Sequence, residues 1–197
     1  MSTVKSKKLQ VGTDATSSNN FTIYQPATPD GTLRIGVGNA DSPTEVGRFD
    51  SNGYVATNAP SFSANMGSAQ TVTTGVWTKA NFNTEEFDTN SCYNNSTYDF
   101  TPTVSGYYQV NIHMTFFGTS PSAVGIALFK NGAVYKYLSY IGPSFNNGGI
   151  FQNSCLIYLN GTTDYISAYG LCSASGTAQL GGGVQQSAFQ AVLVRAV

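Results

Sequence analysis

Charge is what this 197-residue sequence has least of: 9 Lys plus Arg and 10 Asp plus Glu make up 10% of it and leave a formal net charge of -1. Without a basic excess the chain has little with which to displace counterions from a polyanion, which argues against nucleic-acid binding. The shortage does not imply disorder, because 41% hydrophobic and 13% aromatic residues supply apolar surface to offset chain entropy. Hydroxyls and amides replace ions, with 21 Ser, 22 Thr and 17 Asn beside 21 Gly.

Long apolar runs are missing as well. None approaches the roughly 20 residues that cross a bilayer, so no membrane insertion is expected. The basic start, with Lys5, Lys7 and Lys8, runs into a polar stretch where a secretory signal needs an apolar one, so no signal peptide is expected. Cysteine is scarce: Cys92, Cys155 and Cys172 have no CxxC spacing, and an odd number cannot all pair within the chain. They read as reduced core or strand residues of a protein folded in a reducing cytoplasm, with Cys155 to Cys172 the one pairing to watch.

Helical periodicity is nearly absent, and strand signals fill its place. Tyr107 to Phe117 is the clearest, setting Tyr108, Val110, Ile112, Met114 and Phe116 on one face and Gln109, Asn111, His113 and Thr115 on the other. Further strands are predicted at Val124 to Lys130, Val134 to Tyr140, Ile150 to Leu159, Tyr165 to Leu171 and Ser187 to Val194. Turn chemistry such as Lys130-Asn131-Gly132 and Leu159-Asn160-Gly161 separates them, a spacing that indicates a sandwich or barrel. Residues 1–58 differ in grain. Phe21 to Tyr24 can pair with Thr32 to Val37, and Glu45 to Phe49 with Tyr54 to Thr57. Two such hairpins, offering mainly Ile23, Leu33, Ile35, Val46 and Phe49, need a partner surface or other copies of themselves. The domain boundary therefore falls between 1–58 and 59–197.

Catalytic chemistry has little to work with. The one histidine, His113, lies mid-strand and reads as an interface imidazole, not the base of a triad. Glu85, Glu86 and Asp88 lack metal-loop spacing and read as a solvated loop, and the run Gly36 to Asp41 lacks the lysine and helix of a phosphate loop. No cofactor, metal or enzymatic activity is expected. Tyr135, Tyr137, Tyr140 and Phe145, beside Asn146 and Asn147, make a surface suited to a glycan or protein, with half of these rings expected in the core.

From Pro60 onward the order of motifs resembles the globular head of complement component one q, the jelly roll shared with tumour necrosis factor. The matches are Pro60-Ser61-Phe62-Ser63-Ala64; Trp77-Thr78-Lys79 with Phe82-Asn83 and Phe87-Asp88; Tyr98 to Pro102 with Gly106-Tyr107-Tyr108; Leu128 to Gly132; and Ser187 to Leu193. The resemblance implies a ten-stranded, all-β jelly roll that assembles as a homotrimer, with Gln109, Asn111, His113 and Thr115 near the threefold axis. No Gly-X-Y stalk and no calcium-site carboxylate cluster accompany it.

The N-terminal phrases Asn20 to Pro26, Pro29 to Gly36 and Val46 to Gly53 resemble the β-structured attachment regions of bacteriophage tail fibres and capsid-surface proteins. That likeness implies a non-enzymatic protein of the virion surface, made in the host cytoplasm, that decorates and cements the capsid. Its partners would be itself and the major capsid protein. Lys5, Lys7, Lys8 and the apolar hairpin residues would be the attachment element. The alternative is a short tail-fibre or tip protein that binds a host-surface receptor.

Overall fold

The computed structural model describes residues 7–51, 53–56, 59–142, 149–183 and 186–197. The chain divides into two compact units, residues 1–58 and 59–197.

In the first unit, β1 (Lys8–Val11), β2 (Phe21–Tyr24), β3 (Leu33–Val37), β4 (Thr44–Asp50) and β5 (Gly53–Ala56) form one antiparallel sheet in sequence order. The expected hairpins are β2–β3 and β4–β5, but β3 also pairs with β4, so they are not separate. Lys8 opens strand β1, because Leu9 and Val11 alternate with polar neighbours and pair with Ile23 and Phe21. The segment after Gly36 folds over one face: Thr22 Oγ1 donates to the Gly38 carbonyl at 3.0 Å, and Ala40 N–H donates to Gln10 Oε1 at 2.9 Å. Gly36 permits this, since a Cβ there would lie 2.8 Å from Pro43 Cβ.

The second unit runs β6 (Ser61–Asn65), β7 (Gln70–Val72), β8 (Thr78–Lys79), β9 (Thr84–Asp88), β10 (Tyr93–Asn94), β11 (Asp99–Phe100), β12 (Gly106–Gly118), β13 (Pro121–Lys130), β14 (Ala133–Ile141), β15 (Gly149–Leu159), β16 (Ile166–Ala174), β17 (Ala178–Leu180) and β18 (Ala188–Ala196). One sheet has the order β10-β11-β16-β13-β14, with β8 beside β16. The facing sheet has the order β7-β17-β12-β18-β6-β9, with β15 on the other side of β12. This is the expected two-sheet jelly roll, with thirteen strands among the described residues where ten were expected.

Alternation builds the core as the sequence requires. Tyr108, Val110, Ile112, Met114 and Phe116 of β12 are buried opposite Val124, Ile126 and Leu128 of β13. Phe62 of β6 joins the layers by stacking on Tyr93 and Phe100 at 4.5 and 4.6 Å and meeting Phe189 edge-on at 4.9 Å. Buried phenols find carbonyls: Tyr93 Oη donates to Phe82 O and Tyr108 Oη to Val104 O. The three cysteines are free and buried. Cys155 and Cys172 lie in opposite sheets, on β15 and β16, so the pairing across adjacent strands does not arise.

Turns behave chemically as read. Asn131 and Gly132, at φ of 53° and 80°, close the β13–β14 hairpin. Asn131 Nδ2 donates to Asp164 Oδ1 at 2.8 Å, and Lys130 Nζ lies 2.8 Å from Asp164 Oδ2, which ties this turn to the 160–165 loop. Gly161 in that loop has φ 73°, and a Cβ there would sit 2.3 Å from the Ser105 nitrogen. Gly75 has the same left-handed φ of 72° but its nearest neighbour is 3.4 Å away. Gly75→Ala should therefore cost about 1–2 kcal/mol from conformation alone, whereas Gly161→Ala adds a backbone collision and should cost about 3 kcal/mol or more. Denaturant midpoints of the two variants check this, and equal losses would contradict it.

Candidate functional site

The outward face of the β12 sheet is built by register. Gln109, Asn111 and His113 point away from the core and pair across β15 with Leu156, Ser154 and Gln152. On the other side they pair with Val192, Gln190 and Ala188 of β18, which continue to Ser61, Ser63 and Asn65 of β6. One end of this face is richer in apolar groups: Tyr107 and Tyr158 approach with ring centroids 5.7 Å apart, beside exposed Leu156 and Val192, with Arg195 opposite Tyr107 and Lys130 Nζ 5.8 Å over the Tyr158 ring. Its middle is a neutral amide and hydroxyl field around an open depression of about 390 Å³ lined by Asn111, His113, Gln152, Asn153, Ser154 and Gln190.

Thr115 is the exception among the four residues expected there. It is buried, its N–H donates to Ser187 Oγ at 3.1 Å and its hydroxyl to the Gln186 carbonyl, so its polar groups are used within the chain. The alternation of β12 is intact; the segment leading into β18 covers its end.

A small polar relay crosses from this face to the sheet edge. Gln190 Nε2 donates to Ser63 Oγ at 3.0 Å, and Ser63 Oγ donates to Glu86 Oε2 at 2.6 Å. The Ser63 bond, with Asn65 second, holds the Glu86 carboxyl below its ordinary value, while burial pushes His113 down against the opposing pull of Glu86. No hydroxyl or thiol is hydrogen-bonded to His113 among the described residues, and burial pushes the Cys155 thiol up, away from nucleophilic thiolate. Glu85, Glu86 and Asp88 lie on strand β9 and not in a solvated loop, because β9 adds to the edge of β6. Asp88 is engaged with the Tyr93 and Asn90 amides. Among the described residues no three His, Cys, Asp or Glu converge as metal ligands.

On the opposite sheet, Tyr135, Tyr137 and Tyr140 of β14 are all exposed, contrary to the expected half in the core. The reason is positional: β14 is an edge strand with two bulges, and Leu138 is its one buried side chain. Tyr137 and Tyr140 stand opposite Ala127 and Gly125, and Trp77 lies over Gly125 with its ring 5.3 Å from Tyr137. Trp77 was missed as part of this surface because nothing local in the sequence links it to a strand some 60 residues on. Phe145, Asn146 and Asn147 lie outside the described residues, as does Lys5.

In the first unit Ile23, Leu33, Ile35 and Phe49 do share one face. Val46 does not belong to the regular row, since it occupies the bulge opposite Ile35 and Gly36. Lys8 Nζ donates to Ala40 O at 2.5 Å and lies, with Lys7, near a cleft that includes Tyr24 and Pro43.

No protein-family model matches the sequence, and no curated protein does. Solved structures match the fold. The globular domain of zebrafish complement 1qA protein is 15% identical with a TM-score of 0.52, covering 70% of this chain and 99% of its own. Murine APRIL at pH 8.0 is 8% identical with a TM-score of 0.54, over 69% of this chain and 99% of its own. Eiger TNF from S. frugiperda is 12% identical with a TM-score of 0.53, over 71% and 93%. The covered share is about that of residues 59–197, and it shows an all-β jelly roll of the complement one q and tumour necrosis factor type.

Proposed function

We propose that the chain is a non-enzymatic homotrimeric structural protein of a phage virion, with the jelly roll as a projecting knob and residues 1–58 as the attachment element. The uncharged stretch of the outward face, Gln109, Asn111 and their cross-strand partners Leu156, Ser154, Val192 and Gln190, carries the trimer reading. Three copies meeting about one axis juxtapose identical side chains, so charge there would repel and uncharged amides can pair. The end richer in apolar groups, with Tyr107, Leu156, Tyr158 and Val192, supplies area to bury. Decoration of the capsid fits the shortness of the N-terminal unit: even fully extended, 58 residues reach about 190–210 Å, and its strands of at most seven residues each span about 24 Å or less. A second reading, a tail-fibre tip, draws on the exposed Tyr137 and Tyr140 rings beside half-buried Trp77, which suit stacking against a host glycan.

Asn111→Arg places a cation on an exposed position that the folded monomer tolerates. It should raise the trimer dissociation constant by about tenfold or more through like-charge repulsion. Light scattering reads the result, and a monomeric mass for the unmodified chain at micromolar concentration rejects the trimer.

Stability should fall with acidity in two steps. His113 has a folded pKa below its ordinary 6.5 and Glu86 one below its ordinary 4.5, so unfolded chains bind protons first at each. The His113 contribution is whole above pH 6.5 and is lost as pH drops through the lowered value. The Glu86 contribution is whole above 4.5 and is lost likewise. Thermal midpoints of His113→Gln should lack the first decline and keep the second.

On particles lacking the protein, several hundred bound copies indicate decoration and a handful of trimers indicate a fibre. Residues 60–197 alone should trimerise but not bind, and binding equal to the full chain would move attachment into the jelly roll.

A further inference from the structure

The N-terminal sheet is finished on one side only. Register places Leu9, Val11, Phe21, Ile23, Leu33 and Ile35 on a single face. That face is open, with Leu9 59%, Val11 56% and Phe21 48% exposed. No charged side chain falls on it at the paired positions of the described strands. The opposite face is already covered by the chain's own segment after Gly36, burying Asn20 and Thr22. It also carries the ions, with Arg34 paired to Asp30 at 2.5 Å and Glu45 at 3.0 Å, and Arg48 to Glu45 at 3.1 Å. A sheet with an apolar face needs a second layer. Residues 1–6, 52, 57 and 58 include only Met1 and Val4 as apolar side chains.

We propose that this face closes on the same face of two further copies of this chain, so that three N-terminal sheets share one apolar interior. The contact rests on the trimer proposed above. An uncharged face can meet itself without like-charge repulsion, and interfaces between identical copies are the ones that resemble a domain core. A virion partner of other chemistry would need polar groups on this face to fix its register, and the face offers none from β1 to β3. Trimerisation of residues 59–197 tethers three such sheets together, so that each meets its copies at an effective concentration set by the connecting chain. Ile23, Leu33 and Ile35 are then spent on self-contact, which leaves virion attachment to the rest of residues 1–58.

The test uses the full-length chain with Ile23→Cys, treated with a short bismaleimide. Asp41→Cys, in the exposed segment over the opposite face, is the control with the same tether, and the unsubstituted chain corrects for the buried native cysteines. Covalent dimer should form from Ile23→Cys with a yield about tenfold or more above Asp41→Cys, because only the former holds its thiols in contact instead of at tether-limited concentration. Phe21→Cys, one rung along the same face, repeats the measurement should Ile23→Cys lose the sheet. A trimeric mass with equal cross-linking at the two positions overturns this contact and leaves the trimer standing. A monomeric mass overturns both.

Discussion

Everything in the jelly roll depends on the register of β12. This strand pairs with β15 along one side and with β18 and then β17 along the other, so three connections are fixed by a single alternation of side chains. A slip of one residue would bring Gln109, Asn111 and His113 into the core and expel Val110, Ile112 and Met114. Each buried aliphatic contributes about 1.5–3 kcal/mol, so the wrong register is far out of reach. The cost is enforced between the layers too, where Phe62 and Phe189 of this sheet interlock with Tyr93 and Phe100 of the facing one and leave no space for a shifted β18.

The scarcity of ions then becomes intelligible. Polar groups that other folds satisfy with charges are met here by amides and hydroxyls. Asn160 Oδ1 accepts from the backbone N–H groups of Thr162, Thr163 and Asp164, and Ser187 Oγ links Thr115 N–H to the Gly181 carbonyl. Asn153 Nδ2 donates to the carbonyl of Leu138, the residue a bulge removes from the β13–β14 ladder, and so ties the two sheet edges together. Such bonds close without the large desolvation penalty of a buried ion, which is also what the proposed burial of the outward β12 face against a copy of itself requires.

Local chemistry was legible in the sequence, and long-range cover was not. The β12 alternation, the strands after it and the Asn131-Gly132 turn follow from period and turn preference alone. Thr115 has the right parity for the outward face, yet Ser187 closes over it from 72 residues away, a contact no local pattern encodes. The exposure of Tyr137 and Tyr140 depends on β14 being an edge strand, which is a property of strand order and not of composition. Merging of the two N-terminal hairpins was hidden for the same reason: the β3–β4 pairing spans a bulge at Val46, so the alternation in β4 breaks where it would have announced the partner.

In the proposed assembly the two units present a face to identical copies in opposite ways. The β12 face is mostly polar and neutral, so its burial gains modestly from area and depends on complementary hydrogen bonds. The N-terminal face is apolar and indifferent to angle, and free in solution it would be a hazard for indiscriminate association. Attaching the second to the first resolves the difficulty. In the proposed trimer a face that specifies its partners through hydrogen bonds would set the number of copies, and the adhesive face would then have its own copies always nearer than any stranger. Exposed sheet edges remain the weak point, and Lys8 on β1 puts charge at the edge where an additional strand would otherwise join.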